Sequence, residues 1–192
     1  MKKNDLLIYL VKFLVSFAVL YLGTKAIIGL TVPGGYYNEW VARYFDYPSL
    51  LRSSLLNGSK LLVGAFGFDT FLRDAYHVAI KNRRGVHLVY SCLGYGLMSF
   101  WIAFIFANRG SFVKKATWML GGAFVIWLIN VIRISLVLVA TNQQWKVRLS
   151  LDNHTAFNIV VYIAIFFMIW MFMRSEDKVP PTVRGRQAPE IR

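Results

Sequence analysis

The stretch LINVIRISLVLVA, residues 128–140, sets one arginine, Arg133, inside an otherwise apolar run. The reading of that run decides the fold. As part of a membrane-spanning helix it would bury a charge at considerable cost, and such a charge is usually paired or functional. The rest of the chain supports a membrane reading. Of its 192 residues, 57% are hydrophobic and 16% aromatic, well above ordinary soluble usage. A spanning helix needs roughly 20 apolar residues, and four windows approach that length: 6–30, 91–107, 117–140 and 155–173.

The first window follows Met1-Lys2-Lys3 as a secretory signal would. Its apolar region is too long for one, and no small-x-small cleavage site ends it, so it reads as a retained anchor. The net charge of +13 would suggest nucleic acid in a soluble chain. No basic stripe interleaved with aromatics supports that, so the Lys and Arg are read as flanks of membrane spans and no nucleic-acid partner is expected. Cys92 is the single cysteine, which excludes an internal disulfide and a multi-cysteine metal cluster.

Between the first two spans lies an extracytoplasmic segment, 31–90, opening with Pro33-Gly34-Gly35. Within it Leu50, Leu51, Leu55, Leu56, Leu61 and Leu62 recur at helical spacing beside Ser53, Ser54, Asn57 and Lys60. That pattern predicts an amphipathic helix on the bilayer surface or in a groove of the bundle. The piece LLVGAFGF (61–68) is short for a span but compatible with a re-entrant segment. Next, YHVAIKNRRGVHLVYSC (76–92) joins two β-rich runs through Asn82-Arg83-Arg84-Gly85, which predicts a β-hairpin. Its edges would be unsatisfied in lipid, so it must stand in water and deliver the chain to the membrane near Ser91.

The expected fold is therefore an all-α integral membrane protein of about four transmembrane helices, plus an extracytoplasmic amphipathic helix and a small β-hairpin. Residues 1–173 form one polytopic domain, and 174–192, with Pro180, Pro181 and Pro189 among charges, form a disordered cytoplasmic tail. Residues 1–5, 108–115 and 174–192 hold ten Lys and Arg, against nine in the opposite set, 31–85 and 141–154, which is about twice as long. The denser side should be cytoplasmic, so both termini are placed inside. The basic hairpin tip at Lys81, Arg83 and Arg84 then faces outward, against the usual bias.

This threading brings three unusual residues to one end. Cys92 opens the second span and His154 immediately precedes the fourth, both at the outer side. Arg133 lies seven residues before Ala140, roughly 10 Å down the third span at about 1.5 Å per residue. A guanidinium can climb much of that distance by snorkelling. A thiol at a helix N-terminus near cations has its thiolate favoured. His154 could act as general base and then general acid, and Arg133 could hold the oxyanion of a tetrahedral intermediate. Such a set is suited to acyl transfer. Asn130, one turn before Arg133, could orient that arginine or a substrate carbonyl, or make an interhelical hydrogen bond. Each residue also has a bland reading: Cys92 as a packing residue, His154 as an interfacial polar group, Arg133 as half of a pair. His77 and His87 could pair across the hairpin, but with no carboxylate or thiolate at recognisable spacing no metal site and no cofactor are expected. Gly94, Gly96, Gly121 and Gly122 suit close helix packing.

A β-hairpin feeding Ser91-Cys92-Leu93-Gly94, then Asn130-Val131-Ile132-Arg133-Ile134, then His154 at the start of the last span, resembles the exosortase and archaeosortase family in order and setting from about Leu50 to Met173. The family's C-x-G motif is met loosely by Cys92, Leu93 and Gly94, its N-x-x-R motif by Asn130 and Arg133, and its histidine by His154. Leu93 and Tyr95 depart from the commoner small and β-branched neighbours, and no glycine follows His154 closely. The resemblance implies a compact membrane cysteine protease or transpeptidase acting outside the cytoplasmic membrane. Its substrates would be membrane-anchored proteins whose C-terminal sorting signal combines a motif, a hydrophobic helix and a basic tail. A lipid or glycan would be a possible acceptor. Cys92 would be nucleophile, Arg133 the oxyanion or positioning group and His154 the acid/base. The competing readings are a noncatalytic transporter or assembly partner for surface polysaccharide, in which Arg133 alone matters, and an acyltransferase using the same thiol on a lipid carrier.

Overall fold

The structure, a computed structural model, describes residues 3–32, 36–143 and 153–177; Pro33-Gly34-Gly35, 144–152 and the tail from 178 lie outside the described residues. Helix α1 (Lys3–Thr31) ends where Asn38 turns the chain back, its N–H donating to the Leu30 carbonyl at 2.8 Å. Asn38 also caps the short α2 (Glu39–Tyr44) by accepting from Val41 N–H at 3.2 Å. Asp46 does the same for α3 (Tyr47–Ala65), accepting from Ser49 N–H at 3.2 Å, with Pro48 in the first turn where a missing N–H costs nothing. Tyr47 ties the start of α3 to α1 through a 2.6 Å hydrogen bond between its hydroxyl and that of Thr24.

The expected hairpin is present and has one strand more. β1 (Thr70–Leu72), β2 (His77–Ile80) and β3 (Gly85–His87) form an antiparallel sheet in the order β1-β2-β3. Thr70 faces Ile80 in the first pair and His77 faces His87 in the second. Asn82 takes a positive φ of 60° in the β2–β3 turn, a conformation that asparagine tolerates better than most residues. A 3-10 turn, Tyr90–Cys92, then leads to α4 (Tyr95–Ala107) and α5 (Phe112–Gln143).

The amphipathic helix is α3, and it packs on protein. It lies against α5 and the sheet, burying Arg52, Leu55, Leu56, Ser59 and Val63. Gly58 permits the approach: a Cβ there would stand 3.0 Å from Val131 Cγ2 and 3.2 Å from the Trp127 ring. The indole N–H of Trp127 donates to Ser54 Oγ at 3.1 Å. Leu55, Leu56, Val63, Val78, Ile80, Leu88, Leu93, Val131, Ile134 and Leu138 form one buried cluster, so the core sits where α3, the sheet and the C-terminal half of α5 meet.

Among the described residues two helices are long and apolar enough to cross a membrane, Asn4–Thr31 and Phe112–Asn142. The other two expected windows are shorter apolar helices, Tyr95–Ala107 and Ile159–Ser175. The chain divides into two units, Met1–Leu149 and Ser150–Arg192. The second contributes one described element, α6 (Asn153–Asp177). Arg174–Asp177, placed in the expected tail, continue this helix, and the rest of that tail, 178–192, lies outside the described residues.

Candidate active site

The placement of Cys92 departs from expectation. It is not the first residue of α4 but the last of the 3-10 turn, its N–H donating to the Val89 carbonyl at 2.9 Å. Gly94 holds the cap of α4 at φ 75°, in the left-handed region that favours glycine, and the helix begins at Tyr95. The macrodipole of α4 thus acts on the thiol from beyond an intervening cap, which removes the main reason for expecting it to activate Cys92. The thiol is half-buried and packs against the cluster that contains Val131, Ile134 and Leu138.

The register between α4 and α5 relates the turn after Cys92 to Asn130. The two helices run antiparallel, and the indole of Trp101 donates to the Trp118 carbonyl at 2.8 Å. A Cβ at Gly122 would collide with that indole, and a Cβ at Gly94 would collide with Nδ2 of Asn130. Seven residues separate Gly94 from Trp101, and eight separate Gly122 from Asn130, so the helices stay in step. Asn130 thus lies against Gly94, two residues after Cys92, and Arg133 follows Asn130 by three residues on α5.

Asn130 is 3% exposed, and its Nδ2 has no hydrogen-bond partner among the described residues. A buried amide donor left without an acceptor costs about 1–3 kcal/mol, and this one is packed against Gly94. Arg133 is half-buried and has neither hydrogen bond nor ion pair among the described residues. Its charge is thus not compensated there. His154 lies in the first turn of α6, and its side chain is outside the described residues. Of the expected site residues, Asn130 is thus brought against Gly94, in the turn that follows Cys92.

Sequence reasoning missed Arg52. This guanidinium is 6% exposed and lies 3.9 Å from the centre of the Tyr76 ring and 5.0 Å from that of Tyr90, two residues before Cys92. Its Nη2 donates to Ser49 Oγ at 3.1 Å, while Nε and Nη1 have no partner among the described residues. A cation over desolvated aromatic faces gains about 2 kcal/mol, which partly offsets its burial. A hydrogen bond with Tyr90, and then burial, raise the Tyr76 hydroxyl above its ordinary value, so this phenol stays protonated beside the arginine. Arg52 thus clamps α3 to the sheet and to the turn that carries the thiol. Its i, i+3, i+4 spacing with Leu55 and Leu56 put it on the buried face, the one signal that could have found it.

On the sheet, His77 and His87 pair as the strand reading suggested, with His77 Nε2 and His87 Nδ1 2.8 Å apart. Asp74, unnoticed in the sequence, lies 2.7 Å from His77 Nδ1 through Oδ2. Its Oδ1 accepts the Tyr76 N–H at 2.7 Å. That backbone hydrogen bond, and then the one with His77, hold the Asp74 carboxyl below the usual carboxylate range. No group of three or more His, Cys, Asp and Glu converges on one point among the described residues.

No family model, curated protein or solved structure matches the chain.

Proposed function

We propose that this chain is an exosortase-like membrane cysteine protease or transpeptidase. It cleaves C-terminal sorting signals of exported proteins at the outer face of the cytoplasmic membrane and passes the new C-terminus to an acceptor. The observation that supports the reading is the close approach of Asn130 to Gly94, which sets the Cys92-x-Gly94 turn beside the Asn130-x-x-Arg133 segment.

The helix lengths agree with this placement. At about 1.5 Å per residue, the 32 residues of α5 reach well past a hydrocarbon layer of about 30 Å. The excess is the outer part, where Ile134 and Leu138 meet the sheet. Cys92 then stands near the outer boundary of the bilayer. A substrate whose hydrophobic helix lies in the membrane would present its cleavage motif at that height.

In the proposed reaction the Cys92 thiolate forms a bond to the scissile carbonyl carbon, and negative charge develops on its oxygen. Arg133 and the Asn130 amide stabilise that charge. The C–N bond breaks, and His154, assigned by resemblance alone, protonates the leaving amine. A nucleophile of the acceptor, or water, then attacks the thioester and regenerates the thiol.

The test is Cys92→Ala in the host, with intact-mass analysis of proteins that end in a hydrophobic helix and basic tail. Persistence of such tails in the variant alone is the expected result. Unchanged processing, with impairment only in Arg133→Ala, would transfer the protein to the transporter or assembly reading.

A further inference from the structure

We propose that His77 and His87 form a binding site for a first-row divalent cation, copper(II) or zinc(II), on the outer sheet and apart from the thiol chemistry. The two residues face each other across β2 and β3. His77 Nε2 and His87 Nδ1 lie 2.8 Å apart, and the ring centres are only 4.3 Å apart with planes inclined at 57°. The rings stand side by side rather than head-on, so the two nitrogens face a common space. Widening their separation to about 3.3 Å would suit two imidazole ligands of a tetrahedral ion at about 2.0–2.1 Å each.

The protonation pattern suits metal as well. Asp74 accepts from Nδ1–H of His77, which fixes the tautomer and leaves Nε2 with its lone pair. A carboxylate behind a ligating imidazole also raises its basicity. His87 now donates Nδ1–H to that lone pair. On metal binding this proton moves to His87 Nε2, so two neutral imidazoles ligate and no net proton need be released. His87 is exposed and His77 half-buried, which leaves an approach from solvent and room for water to complete the coordination sphere. Tyr76 stacks on His87 at 5.9 Å and limits its rotation. Arg52 on Tyr76 opposes a dication electrostatically, while Asp74 favours it. With two protein ligands and water, affinity in the micromolar range is expected, with copper(II) above zinc(II).

The test uses the full chain in detergent, without a polyhistidine tag and with Cys92→Ser so that the thiol cannot contribute. Titration with copper(II) and zinc(II) chlorides should show one equivalent bound, and the copper(II) resonance should carry hyperfine structure from two nitrogens. His87→Ala should weaken binding at least tenfold. His87→Gln, which keeps a hydrogen-bond donor toward His77, should do so without lowering the thermal midpoint. Asp74→Asn should weaken it about tenfold or more through the loss of the carboxylate behind His77. Equal binding in His87→Ala, or no binding below millimolar metal, would overturn the assignment.

Discussion

Helices α1 and α5 are both about thirty residues long and strongly apolar, yet they dispose of their apolar residues differently. In α1 the residues withdrawn from the surface are Thr24 and Thr31, while Leu6, Leu7, Leu14, Val15, Val19 and Leu22 are exposed. In α5 Ile126, Asn130, Val131, Ile134, Ser135 and Leu138 are buried. One helix leaves much of its apolar surface uncovered by the rest of the protein. The other spends much of it on a protein core. Hydropathy responds to both uses equally, so Arg133, which looks embedded in a lipid-facing run, sits instead where α5 has begun to serve the core beneath the sheet.

The sharpest way to break this comparison is a matched pair of truncations. Leu138 is fully buried and Leu14 is 58% exposed. Leu138→Ala should cost about 2–5 kcal/mol, the usual range for a buried leucine. Leu14→Ala should stay within about 0.5 kcal/mol, as surface changes do. Reversible unfolding in mixed micelles would measure both. Equal losses would mean that α1 carries as much of the packing as α5.

A second pair tests the register on which the site depends. A methyl group at Gly122 collides with the Trp101 indole, whereas one at Gly121 meets nothing within 4 Å. Trp101 is fully buried and holds the Trp118 carbonyl, so it has little room to yield. Gly122→Ala should therefore cost about 1–3 kcal/mol by overpacking. Gly121→Ala, in the same helix, should be neutral or slightly stabilising. If the two behave alike, α4 and α5 are offset and Asn130 loses its place against Gly94.

What could be read from the sequence follows the same division. Periodicity located α3 through the repeat of Leu50, Leu51, Leu55, Leu56, Leu61 and Leu62, of which Leu55 and Leu56 are buried while Leu50 and Leu61 are exposed, and it located β2 and β3, because β-branched residues flank Asn82-Arg83-Arg84-Gly85. β1 escaped because three residues are too few for alternation to register. The cap of α4 escaped because Cys92, Leu93 and Gly94 abut an apolar run, and only backbone geometry shows that Gly94 ends one turn and starts another. Asn130 was singled out from its place near Arg133. That its amide meets Gly94 depends on an interhelical register that hydropathy does not encode. Asp74 escaped for a local reason: an aspartate in a polar turn looks like solvated charge until its two oxygens are seen to hold Tyr76 and His77.

The smallest effect lies in that turn, where no lipid is involved and acid alone should loosen the structure. The folded-state carboxyl of Asp74 is held below its ordinary value of 3.8, first by the Tyr76 N–H and then by His77. A carboxylate with a depressed pKa contributes stability that is complete above its unfolded value and is lost as pH falls through the folded one. The β1–β2 turn should therefore keep the Tyr76 amide protected from hydrogen exchange at neutral pH and release it only below pH 3.8. In Asp74→Ala that amide should exchange freely across the range, while amides in α5 beside Leu138 should not change. Because the carboxylate is exposed, global stability should hardly move. Loss of α5 protection in the same acid window would instead tie the turn to the core, and the contrast between a locally held sheet edge and a deeply packed α5 would fail.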